Sequence, residues 1–81
     1  MQIRLHFFAQ LREMVKTSEF VLESVGPLSC KEAVLKVTEQ YPQASGLVKT
    51  CSVAKNGNFV GQETDLEDGD ELAILPPVSG G

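Results

Sequence analysis

The last residues of the sequence, LPPVSGG, carry the group with the most distinctive chemistry, the α-carboxylate of Gly81. A carboxylate is a poor electrophile, but sulfur or nitrogen can attack its carbonyl once another enzyme has converted it to an acyl adenylate with ATP. Gly80 and Gly81 have no Cβ, so this backbone can enter a narrow channel. Pro76 and Pro77 cannot continue a sheet ladder and favour an extended exit from the domain. The motif predicts a terminus that is a handle for group transfer.

The alternative is that this segment is a frayed chain end, in which a pair of glycines occurs by chance. Gly80 and Gly81 alone would favour that interpretation. Their position after a rigid Pro-Pro pair, just past a strand that is apolar on both faces, favours group transfer instead.

The side chains offer little catalytic chemistry of their own. His6, the only histidine, falls on the polar face of a predicted strand, and nothing nearby is expected to supply a base, an orienting carboxylate or a metal shell. The acidic stretch TDLEDGDE fails the spacing of a calcium loop, because Thr64 and Leu66 occupy positions that need oxygen-rich ligands. No glycine-rich phosphate loop is present. We therefore expect no metal site and no active site built from the chain's own side chains.

The elements at the start of the chain are two strands flanking a short helix. Alternation over residues 2–8 predicts a strand, and residues 19–24 predict another with Phe20 and Leu22 on one face. The first strand is predicted to bury three residues: Ile3, Leu5 and Phe7. From Ala9 the period becomes helical, and three residues are predicted to face inward: Leu11, Met14 and Val15.

The main helix begins at a capping box, in which Ser29 is the N-cap and Glu32 lies three residues on. It ends at Pro42. The residues that recur at helical spacing should face the sheet: Cys30, Ala33, Val34, Val37 and Tyr41. Residues 43–50 are predicted as a loop with at most one helical turn.

The second half of the chain predicts a hairpin and a central strand. Asn56-Gly57 lies between two β-prone runs and fits a type I′ turn, in which both central residues need positive φ. Asp68-Gly69 predicts a turn before a strand from about Glu71 to Leu75, which is apolar on both faces and therefore belongs inside a sheet. The first and last strands are both rich in apolar residues and are predicted to pair in the centre of the sheet. A crossover that contains a helix would make them parallel. The predicted fold is α+β, a ubiquitin-like β-grasp over residues 1–75 with an extended tail over residues 76–81.

Size and charge limit the classes of function. A chain of 81 residues forms one domain with a thin core, for which the large candidates are Phe7, Phe8, Phe20, Tyr41 and Phe59. The net charge of −4, with lysine and arginine scattered singly, argues against nucleic acid or an anionic membrane and favours a basic partner protein. Six of the eleven acidic residues lie between Glu63 and Glu71, in either a solvated turn or a patch that faces a partner.

The compartment is predicted from the cysteines and from the absence of targeting signals. Cys30 and Cys51 are expected to be free thiols, because the sequence shows no secretory signal. No apolar run approaches the length of a membrane span. The protein is expected to be soluble and cytosolic.

Two segments, FFAQLREMVK and LEDGDELAILPPVSGG, resemble the small subunit of molybdopterin synthase, and the resemblance covers nearly the whole chain. It implies a sulfur carrier whose Gly81 is adenylated by an E1-like activating enzyme and then converted to a thiocarboxylate. That group would donate sulfur to cyclic pyranopterin monophosphate and form the dithiolene of molybdopterin. The resemblance also implies a non-catalytic subunit with no permanently bound cofactor, only covalent AMP and then sulfur at Gly81. Its assembly would be a heterotetramer of two large and two small subunits.

The same resemblance implies a set of contact residues. Phe8, Phe59 and Leu75 match apolar family positions that pack against the large catalytic subunit or the activating enzyme. Pro76, Pro77 and Val78 would lead Gly80 and Gly81 into the active site of the large subunit. From the pattern alone, Phe59 could instead belong to the hairpin core, and Leu75 could be the inner end of a strand.

Three other functions remain open from the sequence. A related sulfur carrier could serve thiazole synthesis or tRNA thiolation, although the Pro-Pro-Val-Ser before the glycines speaks against both. A ubiquitin-like modifier would use the same adenylate to form an amide with a lysine. A plain interaction module would have an inert tail.

Overall fold

A computed structural model describes residues 1–77 of the chain. Its main sheet has five strands in the order β2-β1-β7-β4-β5, and a second sheet pairs β3 with β6. The strands are β1 (Gln2–Phe7), β2 (Glu19–Glu23), β3 (Leu28–Ser29), β4 (Ser52–Lys55), β5 (Asn58–Val60), β6 (Asp65–Leu66) and β7 (Glu71–Leu75). The helices are α1 (Ala9–Val15), α2 (Cys30–Gln40) and α3 (Ser45–Val48), with a 3-10 segment at Pro42–Ala44.

The first and last strands form the centre of the sheet, as predicted. β1 and β7 are parallel, with Leu5 beside Leu72 and Phe7 beside Ile74. β7 also pairs antiparallel with β4, so both of its edges are hydrogen-bonded within the sheet. This interior position explains why β7 carries apolar residues on both faces.

The core lies between the sheet and α2. The alternating residues of β1 are fully buried on the side that α2 covers, and the predicted stripe of α2 is buried against them from Cys30 to Val37. The capping box is present: Glu32 N–H donates to Ser29 Oγ at 3.2 Å, and Ser29 N–H donates to Glu32 Oε1 at 3.0 Å. Two orphan donors at the helix start are thereby satisfied, which fixes where α2 begins.

The prediction for α1 was wrong at one residue. Leu11 and Val15 are buried, but Met14 is exposed. At 3.6 residues per turn, Met14 points about 80° away from the mean direction of Leu11 and Val15. In a helix of seven residues, that places Met14 outside the stripe that packs against the core.

Two of the five large core candidates are not in the core. Phe7 is buried, while Phe20 and Tyr41 are partly buried and pack against the core cluster. The Tyr41 ring stands edge-on to both phenylalanines, with centroids 6.0 Å apart in each pair. Phe8 and Phe59 are instead exposed. Phe8 is outside because Phe7 faces the core and the extended backbone at Phe8, the N-cap of α1, continues the alternation of β1.

Local structure that depends on distant packing was also missed. Residues 42–50 are more helical than predicted: Pro42 opens a 3-10 turn and α3 follows directly, with Ala44 and Val48 buried against the core. β3 and β6 are two residues each, too short to show an alternating pattern. Within residues 1–77, no helix is long and apolar enough to cross a membrane.

Candidate protein-binding face

The sheet surface that points away from α2 is called the outer face here, and it is mixed in character. The part of it that surrounds the start of the tail is formed by Arg4, His6, Phe8, Glu19, Ala54, Phe59, Glu71, Ala73 and Leu75. The register places Gln2, Val21, Glu23 and Ser52 on the same face. On each strand the outer residues alternate with residues that face the core. The face has an apolar part, centred on Phe8 and on β4, β5 and the end of β7, and a charged part on β1, β2 and the start of β7.

The apolar part is built around two exposed phenylalanines. Phe59 is 73% exposed and Phe8 is 42% exposed. Between them, Ala54 pairs in register with both Ala73 and Phe59. Ala54 is buried although it lies outside the core cluster, so its neighbours on the outer face cover it. Exposed aromatic side chains around small residues are typical of a surface that binds another protein.

The predicted contact residues fall on or beside this apolar part. Phe59 is not hairpin core, so that alternative is wrong. Leu75 is half-buried, and it points outward because Leu72 and Ile74 face inward on the same strand. Pro76 is half-buried and Pro77 is exposed. The contacts of these residues with a partner stay a prediction.

The charged part contains a histidine between two carboxylates, which corrects the expectation that His6 has none nearby. His6 Nε2 lies 2.8 Å from Glu71 Oε1, and Nδ1 lies 3.8 Å from Glu19 Oε2. Arg4 Nε is 3.5 Å from Glu19 Oε1. Sequence analysis missed Glu19 and Glu71 because they lie far from His6 in the sequence. They come close to His6 only when β1 pairs with β2 and with β7. In the part of the chain that the structure describes, no cluster of three or more His, Cys, Asp or Glu groups could hold a metal ion.

A polar network ties the hairpin turn to the start of β7. Asp70 is 8% exposed and accepts from Asn56 Nδ2 at 2.9 Å and from Glu67 N–H at 2.7 Å. Lys55 Nζ lies 3.8 Å from Asp70 Oδ2. The hydrogen bond from Asn56, then that from Glu67, lowers the pKa of Asp70, with a smaller contribution from Lys55. This member of the acidic stretch is therefore an internal structural residue rather than part of an exposed patch.

Asn56 also bonds both backbone groups of Glu71. Glu71 N–H donates to Asn56 Oδ1 at 2.9 Å, and Asn56 N–H donates to the Glu71 carbonyl at 2.8 Å. Asn56 has φ 49° and Gly57 has φ 89°, which confirms the predicted turn with two positive φ values. Sequence analysis identified Asn56 for the turn but not for its bonds to Glu71 and Asp70, because no local pattern signals them.

The two cysteines are free and buried, as predicted for free thiols. Burial raises the pKa of both Cys30 and Cys51. Cys51 Sγ donates to the Leu47 carbonyl at 3.3 Å. A buried, protonated thiol is a poor nucleophile. Both cysteines belong to the core cluster, so we assign them a packing role.

The tail begins where β7 ends, at Leu75 on the outer face. Pro76 and Pro77 follow it without joining a strand. The predicted site residues Val78, Gly80 and Gly81 lie outside the described residues.

A mixed five-stranded sheet with parallel central strands and one main helix across it defines a ubiquitin-like β-grasp protein. Small archaeal modifier protein 1 (SAMP1) of Methanosarcina acetivorans has this fold, with a TM-score of 0.84, 31% identity and coverage of 99% of this chain and 96% of that one. The model of the ThiS family matches residues 5–81, and the chain belongs to this family.

Similarity to named relatives extends over the full length. The molybdopterin synthase sulfur carrier subunit of Chlamydomonas reinhardtii is 34% identical, and the alignment covers 100% of both chains. A chain in the complex of subunits 1 and 2 of the molybdopterin-converting factor of Helicobacter pylori matches with a TM-score of 0.72 and 26% identity, over 100% of both chains. The predicted resemblance to molybdopterin synthase small subunits is thus confirmed as homology.

Proposed function

We propose that the chain is the sulfur carrier subunit of molybdopterin synthase and that Gly81 is its reactive C-terminal residue. The observation that carries the proposal is the full-length similarity to a carrier subunit of that name. The fold supports it, because β7 ends beside the exposed apolar residues of the outer face and the tail starts there. One bound partner could therefore contact the face and the tail together.

The chemistry proceeds by two substitutions at the Gly81 carboxyl. An E1-like enzyme binds the chain, and the Gly81 carboxylate attacks the α-phosphate of ATP, releasing pyrophosphate and forming the glycyl adenylate. A sulfur donor at the oxidation level of sulfide then attacks the carbonyl and displaces AMP. The product is the thiocarboxylate, whose sulfur is a better nucleophile than the original oxygen. No cofactor stays bound to the chain.

The thiocarboxylate then acts in the active site of the large subunit. Its sulfur attacks a carbon of cyclic pyranopterin monophosphate and displaces an oxygen substituent from that carbon, which forms a thioester with Gly81. Water then hydrolyses the thioester, leaving a thiol on the pterin and a carboxylate on Gly81. A dithiolene needs two sulfur atoms, so two charged carriers are consumed per product. The chain supplies no catalytic side chain to these steps and is a sulfur-donating subunit.

The outer face is the proposed contact surface for both protein partners. Phe8, Phe59 and Leu75 pack against the large subunit or the activating enzyme, since exposed aromatic anchors dominate such interfaces. Residues 1–75 form the domain that is recognised, while residues 76–81, with Pro76, Pro77 and Val78, enter the active site. The assembly is a heterotetramer of two large and two small subunits in the cytosol, where Cys30 and Cys51 stay reduced.

The test is the intact mass of the purified protein before and after incubation with ATP, a sulfur donor and the activating enzyme. An oxygen-to-sulfur mass difference located at Gly81 by fragmentation is the expected result. Addition of the large subunit and cyclic pyranopterin monophosphate should then return the mass to its starting value. No mass change, alongside a control carrier that does react, would contradict the proposal.

The similarity to an archaeal modifier protein favours a second candidate function, that of a ubiquitin-like modifier. A lysine amine would attack the same glycyl adenylate and displace AMP, forming an amide. Slower-migrating conjugates on a denaturing gel, resistant to thiol reagents and absent without the activating enzyme, would identify this activity.

A further inference from the structure

A cleft of about 340 Å³ opens on the outer face between its apolar and charged parts. Ala54 and Ala73, which pair in register, leave the space because their side chains are small. Phe8 lines the cleft from the end of β1, and Gly57 lines it from the hairpin turn. The cleft is thus bordered by an aromatic ring and by backbone.

The cleft has one carboxylate that no described lysine or arginine pairs with. Arg4 pairs with Glu19, and Lys55 lies near Asp70. Within residues 1–77, the only basic side chain at salt-bridge distance from Glu71 is His6. Glu71 is 54% exposed, so its carboxylate faces the open cleft. The cleft therefore presents a carboxylate that a cationic group of a partner can reach, beside an aromatic side chain.

The Glu71 backbone is held by two hydrogen bonds before any partner arrives, and the carboxylate has one internal partner. Asn56 bonds both backbone groups of Glu71. His6 Nε2 donates to Oε1, because an ionised carboxylate can only accept. No described residue donates to Oε2, and Oε1 keeps a second lone pair. Binding a donor group here costs little ordering of the site.

We infer that this cleft receives an arginine side chain of the protein partner, which stacks near Phe8 and donates to the Glu71 carboxylate. A guanidinium is flat, remains charged, donates in a fork that matches a carboxylate and stacks on aromatic rings. A lysine ammonium matches only the charge. The inference rests on the proposed function, because it names a contact that the large subunit of molybdopterin synthase makes with the outer face.

The test measures binding of the intact chain to the purified large subunit of the same organism by calorimetry. Glu71→Gln keeps the size of the side chain and an acceptor for His6 but removes the charge. It should weaken binding about tenfold or more, as expected for a desolvated charge pair. Glu39→Gln is the matched control: Glu39 is also an exposed glutamate with one basic neighbour, Lys36, and it lies on α2, on the other side of the sheet. It should leave the dissociation constant unchanged.

A second measurement identifies the occupant. The large subunit is treated with phenylglyoxal, which modifies arginine, in the presence of wild-type chain or of Glu71→Gln at equal occupancy, and the modified sites are mapped by mass spectrometry. One arginine should be protected by the wild type and less protected by Glu71→Gln.

Each other outcome overturns the inference. If Glu71→Gln binds within about twofold of wild type, or if Glu39→Gln weakens binding equally, the cleft has no specific role. If no arginine is protected, the occupant is not arginine. In these cases binding of the wild type still supports the proposed function. If the wild type does not bind the large subunit at all, the proposed function and the inference fail together.

Discussion

Asn56 Nδ2 donates to Asp70 Oδ1 at 2.9 Å, which joins the β4–β5 turn to the turn before β7. The same asparagine provides the positive φ of the hairpin turn and bonds Glu71 on both sides. One residue thus holds both the turn that leads to Phe59 and the backbone of Glu71, whose carboxylate lines the cleft. The buried partner of Asn56, Asp70, makes this arrangement sensitive to acid.

Asp70→Asn should reduce the acid sensitivity of folding. The pKa of Asp70 in the folded state lies below its unfolded value, which is near 3.8. Its contribution to stability is therefore present above that value and is lost as the pH falls through the lower folded pKa, so the window opens below about pH 4. The wild type should lose more free energy of unfolding across this window than Asp70→Asn does. Urea titrations at a series of pH values measure the difference.

At neutral pH, Asp70→Asn should itself cost about 1 to 3 kcal/mol, because the new NH₂ group cannot accept from Glu67 N–H. Asp65→Asn, an exposed residue of the same acidic stretch, is the control and should change stability by less than about 0.5 kcal/mol. If the free energies of unfolding of wild type and Asp70→Asn change in parallel as the pH falls, the Asp70 charge does not stabilise the fold and this prediction is wrong.

Phe8→Asp should weaken binding to the large subunit about tenfold or more, while the melting temperature changes little, because Phe8 is an exposed anchor and not a core residue. Calorimetry and thermal denaturation of the isolated chain give the two quantities. Leu35→Asp is the matched control, since Leu35 is a similarly exposed apolar residue on α2, away from the outer face. An unfolded Phe8→Asp chain would mean that Phe8 supports the core.

Deletion of Gly81, or addition of one residue after it, should abolish sulfur transfer and leave the melting temperature nearly unchanged. Terminal residues seldom contribute to stability, whereas the adenylated carboxyl must lie at one fixed place. The intact-mass assay with the activating enzyme and thermal denaturation check the two parts. Equal loss of stability and activity would contradict this assignment of the tail.

The folded chain should react slowly with N-ethylmaleimide at neutral pH, because burial raises the pKa of both Cys30 and Cys51. In urea both thiols should react quickly. A chain that carries the thiocarboxylate should therefore gain one adduct under native conditions, at Gly81. Mass spectrometry after timed quenching counts the adducts. Rapid modification of either cysteine in the folded chain would show that burial does not protect it.

Much of the fold was predictable because its signals are local. The capping box of Ser29 and Glu32 and the Asn56-Gly57 turn each depend on residues a few positions apart, and both are present. The apolar content of Glu71–Leu75 correctly placed that strand inside the sheet. Motif and length predicted the family, since the segments FFAQLREMVK and LEDGDELAILPPVSGG can be read directly from the sequence.

The candidate binding face was predictable only in part, because its charges meet through register. His6 approaches Glu71 only when β1 and β7 are parallel and aligned as they are, and a shift of one residue would separate them. By contrast, the exposure of Phe8 follows from the alternation of β1, which buries Phe7 and puts Phe8 on the opposite side of the sheet. No pattern in the sequence states where a strand ends or which residue lies across from it.

The order β2-β1-β7-β4-β5 has a consequence for synthesis on the ribosome. The pairs β1–β2 and β4–β5 are joined within the sheet only through β7, which is translated after all the other strands of the sheet. An isolated two-stranded hairpin is marginally stable, so a nascent chain that still lacks residues 71–75 cannot complete its sheet. A chain truncated before residue 71 would therefore lack both the folded outer face and the tail.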